Sequence, residues 1–488
     1  NVLCSMLVTI KKYSTSFFLT ISFLFIDIPF AYSIDQIPEL GDPYSETLPL
    51  KQEDIIGMGT YRRLQKYGYI NNNPLVISYI NYLGNKLSRS TMDTNRTYQF
   101  FVVQSDQINA FAVPGGYIGI NIGLILLSEN EAQLAGVVSH EIAHIKLRHS
   151  AEMIASASMS NIPMWIGIIA GIFAGNPRAS IAAMRAGIGL SAQMNVNLIR
   201  TNEIEADDYG VEIMHKANYD LSEMASFFDK MENSTGEISR NLEYLSTHPM
   251  YENRIANIQN RSSVQNNSIK NSTDDYLYIK NILSVSVTSD ITKNIKSITN
   301  KDKYSQHKLA LLYYKRSDYK NAYDAILPTY KVNPNNLYIS ILYANILIGQ
   351  GEIDKALEVL NRLKNIYPLN TVVSLSIAEI LIENNLNLGY AARLLDPLEI
   401  HYSLNPNYLR LSSKLHTLKK NEFKATIFRS NYYELLDDMG LALEVLSNSI
   451  RSSKISIEQK KILEAKKINI ICGNPRPLEP IFGEKTCN

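Results

Sequence analysis

The sequence predicts an α+β protein: a mostly helical first domain holding a small β-sheet, followed by an all-α solenoid of repeats. Three observations carry that expectation. Apolar residues recur at helical spacing in several segments, and a β-branched and aromatic stretch, residues 97–103, with two extended pieces at 110–113 and 117–120, interrupts them. A 34-residue offset organises the second half. With 488 residues, 45% of them hydrophobic, the chain can support two or three separate cores. The net charge of +1 supplies no field that would draw in nucleic acid, so no such partner is expected. The abundance of Asn, Lys, Ile and Tyr is read as genome bias rather than chemistry.

At the amino terminus, Lys11 and Lys12 precede an apolar run over residues 17–26. Ala31-Tyr32-Ser33 then places small residues at the two positions an export peptidase reads. This is a secretory signal pattern, expected over residues 1–33 with cleavage near Ser33. An uncleaved anchor helix is the alternative; the shortness of the run, ended by Asp27 and Pro29, speaks against it. Met6 can be the natural start, which leaves Cys4 outside the translated protein. Cys472 and Cys487 then remain. In an exported chain they can form a disulfide, which a loop of that size makes worth about 3 kcal/mol, or stay as two free thiols. No C-x-x-C zinc ribbon is possible from these positions.

Residues 51–67 and 74–88 read as helices, the second opened by Asn73 as N-cap and Pro74 in its first turn. Val76, Ile80, Leu83 and Leu87 line its buried face. Residues 97–103 read as a strand. Ala110-Phe111-Ala112-Val113, Pro114-Gly115-Gly116 and residues 117–120 read as two extended pieces about a turn. A strand just ahead of the next helix can wall a cleft and pair its edge with an extended substrate backbone; an ordinary core hairpin is the alternative.

That next helix carries His140-Glu141-Ile142-Ala143-His144. Ser128, with Glu131 three residues on, is expected to open it as a capping box. Leu134, Val137, Val138 and Ile142 form its buried stripe. His140 and His144 are four apart, so both imidazoles leave the same face and can grip one Zn²⁺. Glu141, one position round, can take the proton of a water that the ion makes acidic. This is the pattern of metal-assisted peptide hydrolysis.

Residues 162–175 run apolar, break at Asn176-Pro177 and continue rich in Ala, Met and Gly to about Met194. Each piece is short for a membrane span. A helical lid over the cleft is expected, with a hairpin touching the membrane surface as the alternative. In Glu203-Ile204-Glu205-Ala206-Asp207-Asp208-Tyr209-Gly210, helical geometry puts Glu203, Ala206, Asp207 and Gly210 on one face and turns Glu205 away. Glu203 is therefore the expected third ligand, and Ala206 and Gly210 are small enough to let this face press on the zinc helix. Asp207 can hold the free N–H of a ligating His or donate a proton. A three-histidine site is excluded, because Leu147 and Ser150 stand where H-E-x-x-H-x-x-G-x-x-H needs Gly and His. His149 is read as structural and facing elsewhere. His248 and Arg254, either side of Pro249, can stabilise negative charge on a tetrahedral intermediate. His248 can also occupy the open position on the ion and hold the site latent.

Residues 262–274 are rich in Ser and Asn and read as a linker, which with a connecting helix is expected to run to residue 300. Ser317-Asp318-Tyr319-Lys320-Asn321-Ala322 aligns with Gly351-Glu352-Ile353-Asp354-Lys355-Ala356, and Pro334 with Pro368, both at an offset of 34. That is the period of the tetratricopeptide repeat, a helix-turn-helix unit that stacks into a solenoid. Ala391 and Ala425 continue the series, with extra residues near Pro406, and residues 441–450 form one more helix. The repeats are expected over residues 301–470, with a tail over 471–488, and to present a concave surface suited to peptides or partner proteins.

The motifs His140-Glu141-x-x-His144, Glu203-x-x-Ala206-Asp207, His248-Pro249 with Arg254, and Asn109-Ala110-Phe111-Ala112 resemble the gluzincin metallopeptidases that include the HtpX and prenyl-protein (CAAX) proteases. A signal segment and C-terminal repeats narrow the resemblance to the periplasmic type. It implies a zincin-like metallopeptidase fold for residues 34–261. It implies one Zn²⁺ per chain at His140, His144 and Glu203, Glu141 as base, and Asp207 as proton donor. It also implies outer-membrane protein quality control, with unfolded or stalled proteins as substrates and the outer-membrane β-barrel assembly machinery as a partner of the repeats. An exported zinc endopeptidase is thus expected; a chaperone or adaptor with a largely latent site is the alternative.

Overall fold

A computed structural model describes residues 44, 46–93, 96–156, 192–234, 242–251, 253–262 and 272–473. The expected signal segment, most of the lid stretch and Cys487 lie outside the described residues. Cys472 itself is disulfide-bonded. The chain divides into Asn1–Glu46 and a compact unit, Thr47–Asn488, which holds every element named below. Among the described residues no helix is long and apolar enough to cross a membrane.

Helix α1 spans Leu50–Lys66 and α2 spans Pro74–Ser88. Asn73 caps α2 as expected: its side chain accepts the Leu75 N–H, and Pro74 needs no partner at the first position. Val76, Ile80, Leu83 and Leu87 are all buried. Three strands follow, β1 (Gln99–Val103), β2 (Ala110–Val113) and β3 (Tyr117–Asn121). Their order is β1-β3-β2, with β3 parallel to β1 and antiparallel to β2. The strand just ahead of the helix that carries His140 and His144 is therefore central, and β2 lies at one edge. The β2–β3 turn needs two glycines. Gly115 and Gly116 both have positive φ (87° and 86°), and a Cβ on Gly116 would stand 2.3 Å from the Thr97 carbonyl oxygen.

A short helix, α3 (Ile122–Leu127), leads into α4 (Glu131–Lys146), which carries the motif. Ser128 does not open α4. It closes α3, and Asn130 is the N-cap, its side chain accepting the Gln133 N–H. Asn130 lies next to the first helical residue, where its carbonyl-bearing side chain can reach the orphan donors; Ser128 instead sits 2.9 Å from the Tyr276 hydroxyl. Helix α4 is buried on nearly all faces, beyond the expected stripe. After α5 (His149–Ser156) come α6 (Ala192–Lys216), α7 (Ser222–Glu232), α8 (Tyr244–Thr247) and α9 (Arg254–Ser262).

The connecting helix is part of the packed core. Helix α10 (Asp274–Val287) rests on α2 and α3, and Tyr278 stacks on Tyr338 of the repeats (5.1 Å, 15°). Helix α11 (Ile291–Ser297) leads into paired helices. These are α12/α13 (Lys303–Lys315, Tyr319–Val332), α14/α15 (Leu337–Gly349, Ile353–Ile366) and α16/α17 (Thr371–Glu383, Leu388–Leu395). The extra residues before Pro406 form a 3₁₀ turn and a short helix, α18 (Glu399–Tyr402). Helices α19 (Pro406–Leu418), α20 (Glu422–Leu435), α21 (Met439–Arg451) and α22 (Ile457–Gly473) complete the array. Ala322, Ala356, Ala391 and Ala425 are buried at the close helix contacts that give the repeat its period. The abundant Asn has local work here: Asn336, Asn370, Asn405 and Asn421 each cap a helix.

The first half of the chain and the repeats share one apolar core. Helix α2 packs on α16, and α1 packs on α20. The contact is fastened by Arg62 to Glu434 at 2.5 Å, Lys66 to the Asp437 carbonyl at 3.1 Å and the Tyr61 hydroxyl to the Leu404 carbonyl at 3.1 Å. Helices α14 and α16 are apolar and buried almost all round. So α16 is covered by the chain's own α2, and this part of the expected partner surface is already in use.

Gly116→Ala is expected to destabilise the fold by about 1–3 kcal/mol, because a Cβ is both strained at that φ and in collision with Thr97. A thermal-unfolding midpoint equal to that of the parent would contradict this account of the turn.

Candidate metal centre

Two helices from distant parts of the chain build the site. Helix α6 crosses α4 where its small residues lie: a Cβ on Gly210 would stand 3.3 Å from the His140 nitrogen, and Ala206 is fully buried. The approach brings Glu203 and Asp207 of α6 against His140 and His144 of α4. The expected face of α6 is the buried one, with Glu205 exposed beside it. His248 arrives from the end of α8, its ring stacked on Tyr244 (4.5 Å, 24°).

One donor atom each from His140, His144, Glu203 and His248 lies within 4.8 Å of the others. Nε2 of His140 is 3.0 Å from Nε2 of His144 and 3.3 Å from Nδ1 of His248. The Glu203 carboxylate is 3.4 Å from His140 Nε2, 3.3 Å from His144 Nε2 and 3.0 Å from His248 Nδ1. Donors held 2.0–2.1 Å from a tetrahedral ion stand roughly 3.3 Å apart. The nitrogen and carboxylate donors thus lie near the spacing a tetrahedral divalent metal needs, all within 4.8 Å of one another. Glu141 is fully buried, and neither of its oxygens has a hydrogen-bond partner among the described residues. His248 Nε2 lies 3.5 Å from its Oε1. A buried carboxylate left so is costly unless it serves a reaction.

Two sequence expectations change here. Asp207 Oδ1 stands 2.9 Å from His140 Nδ1. Its carboxylate also accepts from Arg254 Nε (2.7 Å), Arg254 Nη2 (2.9 Å) and the Tyr251 hydroxyl (3.0 Å). Burial pushes the Asp207 carboxyl up, but Arg254 and His140 outweigh it and hold it below its usual range. It stands ionised and fully engaged as an acceptor, so the proton-donor role is not available to it. Arg254 is equally occupied: besides Asp207 it binds Glu203 (3.1 Å) and lies 4.5 Å over the Phe228 ring. With the guanidinium committed behind the ligands, it is not aimed at a reacting oxygen. The signal for this pairing was present, since Asp207 and Arg254 are both charged and share the site's motifs, but charge pairing across 47 positions has no local trace.

His149 also departs from expectation. It does not face elsewhere: its Nδ1 lies 2.9 Å from His144 Nδ1, and it is buried. Arg148, with φ of 58°, turns the chain out of α4 so that His149 swings back.

Burial holds His144 down to about 3, and His149, also pressed by the His140 charge, down to about 4. Both are neutral across the physiological range. For His140, burial is outweighed by the Glu203 charge and the Asp207 hydrogen bond, which raise it to about 9. Burial also pushes Glu203 up, and the His248 and His140 charges hold it well below the carboxylate range.

This fold and site define a metal-dependent peptidase. Residues 77–262 match the family profile described as Peptidase family M48, and residues 292–363 match that of anaphase-promoting complex (cyclosome) subunit 3, a tetratricopeptide-like region. The chain is 28% identical to the beta-barrel assembly-enhancing protease of Escherichia coli over 90% of its own length and 91% of that protein. It is 34% identical to a putative beta-barrel assembly-enhancing protease of Vibrio cholerae over 46% of this chain and 47% of the other. The bovine mitochondrial metalloendopeptidase OMA1 is 34% identical over 32% of this chain and 31% of its own length. The likeness to the first of these runs along nearly the whole chain, and the chain is a metallopeptidase with C-terminal helical repeats.

The His140 value lies above the solution value of 6.5. Its ion pairing therefore stabilises the metal-free fold fully below pH 6.5 and is lost as pH rises through about 9. The unfolding midpoint of chelator-treated protein should fall across that window. Binding of a divalent ion near pH 7.5 should release about one proton, read by calorimetry in buffers of different ionisation enthalpy. A flat midpoint with no proton release would refute this charge assignment.

Proposed function

We propose that the chain is an exported zinc endopeptidase that acts on misfolded or stalled proteins. The reading rests above all on the spacing of the four donors, beside a buried Glu141 that has no partner of its own. His140, His144 and Glu203 hold the ion, and their mix of imidazole and carboxylate suits zinc. The ion supplies a Lewis acid that makes water a usable nucleophile near neutral pH. Glu141, one position round the helix from His140, takes the proton of the attacking water and passes it to the leaving amine. Asp207 holds the His140 Nδ1 proton, and Arg254 holds Asp207. The β2 edge lays the substrate along the cleft. Asn109 accepts from Asn121 at 3.0 Å, so antiparallel alternation leaves the main-chain groups of Ala110 and Ala112 facing away from β3.

His248, whose Nδ1 lies 3.3 Å from His140 Nε2 and 3.0 Å from Glu203, can serve as a fourth donor, where it would compete with substrate. It is therefore a latch that must swing out before turnover. Once out, its ring is free to stabilise charge on the substrate carbonyl oxygen. The expected signal segment supports a periplasmic site of action, and the relatives' printed names support a part in β-barrel assembly, with the outer-membrane assembly machinery and client proteins met by the repeats. The presence of Glu141 favours the enzyme over a chaperone with a silent site, since holding clients needs no general base.

Glu141→Gln is expected to keep the metal and lose about 10²–10⁴-fold in casein cleavage. Normal cleavage by that variant would end the enzyme reading. His248→Ala should raise basal cleavage of casein by the purified protein; a fall with no gain on any substrate would remove the latch.

A further inference from the structure

A histidine that gives Nε2 to an ion must keep its proton on Nδ1, and a group behind it must accept that hydrogen bond. The two histidines of α4 are backed differently. Behind His140 stands a carboxylate, Asp207, at 2.9 Å. Behind His144 stands another imidazole, His149, with Nδ1 facing Nδ1 at 2.9 Å and the rings edge-on (79°). An imidazole nitrogen accepts only when the ring is neutral and its proton sits on the other nitrogen. For His149 that other nitrogen is Nε2, which is buried and makes no hydrogen bond among the described residues; the Glu205 carboxylate, whose Oε2 lies 3.5 Å away, acts on it as a charge and not as a hydrogen-bond acceptor.

We infer that Glu205 and His149 form a relay that fixes the tautomer of His144. Glu205 keeps the His149 proton on Nε2; His149 then accepts from His144 Nδ1, which leaves His144 Nε2 free to bind the ion. His149 and Glu205 are positioning residues, and neither touches substrate. The relay is held from outside the site. Arg148 donates to the buried Glu53 of α1 at 3.1 and 2.9 Å, and Arg96 binds the same carboxylate at 2.6 Å. These contacts fix the turn that returns His149 toward His144. The relay also makes the ligands unequal: the Asp207 side chain is 3% exposed, whereas that of Glu205 is 54% exposed. The grip through His144 is thus the one open to solvent.

The inference rests on the metal reading above, and zinc retention against a graded chelator separates the two. His149→Leu removes the acceptor and should weaken zinc binding about 10–100-fold. His149→Asn places an amide oxygen near the position of Nδ1 and should restore most of it. Glu205→Ala, on an exposed carboxylate, should weaken retention in the same direction by less, and it carries the test if the Leu variant does not fold. The unfolding midpoint of the metal-free Asn and Ala variants should match that of the parent. Equal losses in the Leu and Asn variants, or parental zinc retention in Glu205→Ala, overturn the relay while leaving the metal site standing. A parent chain that retains no zinc overturns both.

Discussion

Everything at the centre depends on how closely α6 can approach α4. Glu203 comes from a helix some sixty positions beyond the motif, and its carboxylate reaches His140 Nε2 at 3.4 Å only because nothing larger than Ala206 and Gly210 stands between the two backbones. Close packing of buried helices leaves no room for adjustment. A bulkier residue at either position would push the Glu203 carboxylate away from the two imidazoles of α4 and open the donor cluster.

The charges are arranged to make that crossing tolerable. Glu203, Asp207 and Glu141 are three buried carboxylates within one cleft. Buried charge is costly unless paired and hydrogen-bonded. Arg254 answers two of them at once, and its own burial is eased by the Phe228 face. Among the described residues Glu141 alone of the three is left without such a partner, and the base role proposed for it rests on that.

Much of this was legible in the sequence, because helical periodicity is local. The ligand face of α6, the Asn73 cap and the 34-residue period could all be read from residues a few positions apart. What escaped depended on contacts between distant segments. Asp207 reads as a proton donor until Arg254 is seen against it, and Arg254 reads as a free cation until Asp207 is seen. His149 sits five positions past His144, a spacing that on a continuous helix points aside. The left-handed turn at Arg148 breaks that helix, and no local propensity of Arg announces it. Ser128 and Asn130 are both good cap formers, and only the course of the backbone chooses between them.

The apolar inner layer of the repeats has a bearing on how the protein is made. Helix α2 meets α16, so neither half can bury its own greasy side alone. A chain released from synthesis halfway would hold a finished cleft beneath a bare, adhesive flank, and a cut between the halves would leave two fragments prone to clump. Folding of the two halves is therefore coupled, since each covers apolar surface that the other would leave bare.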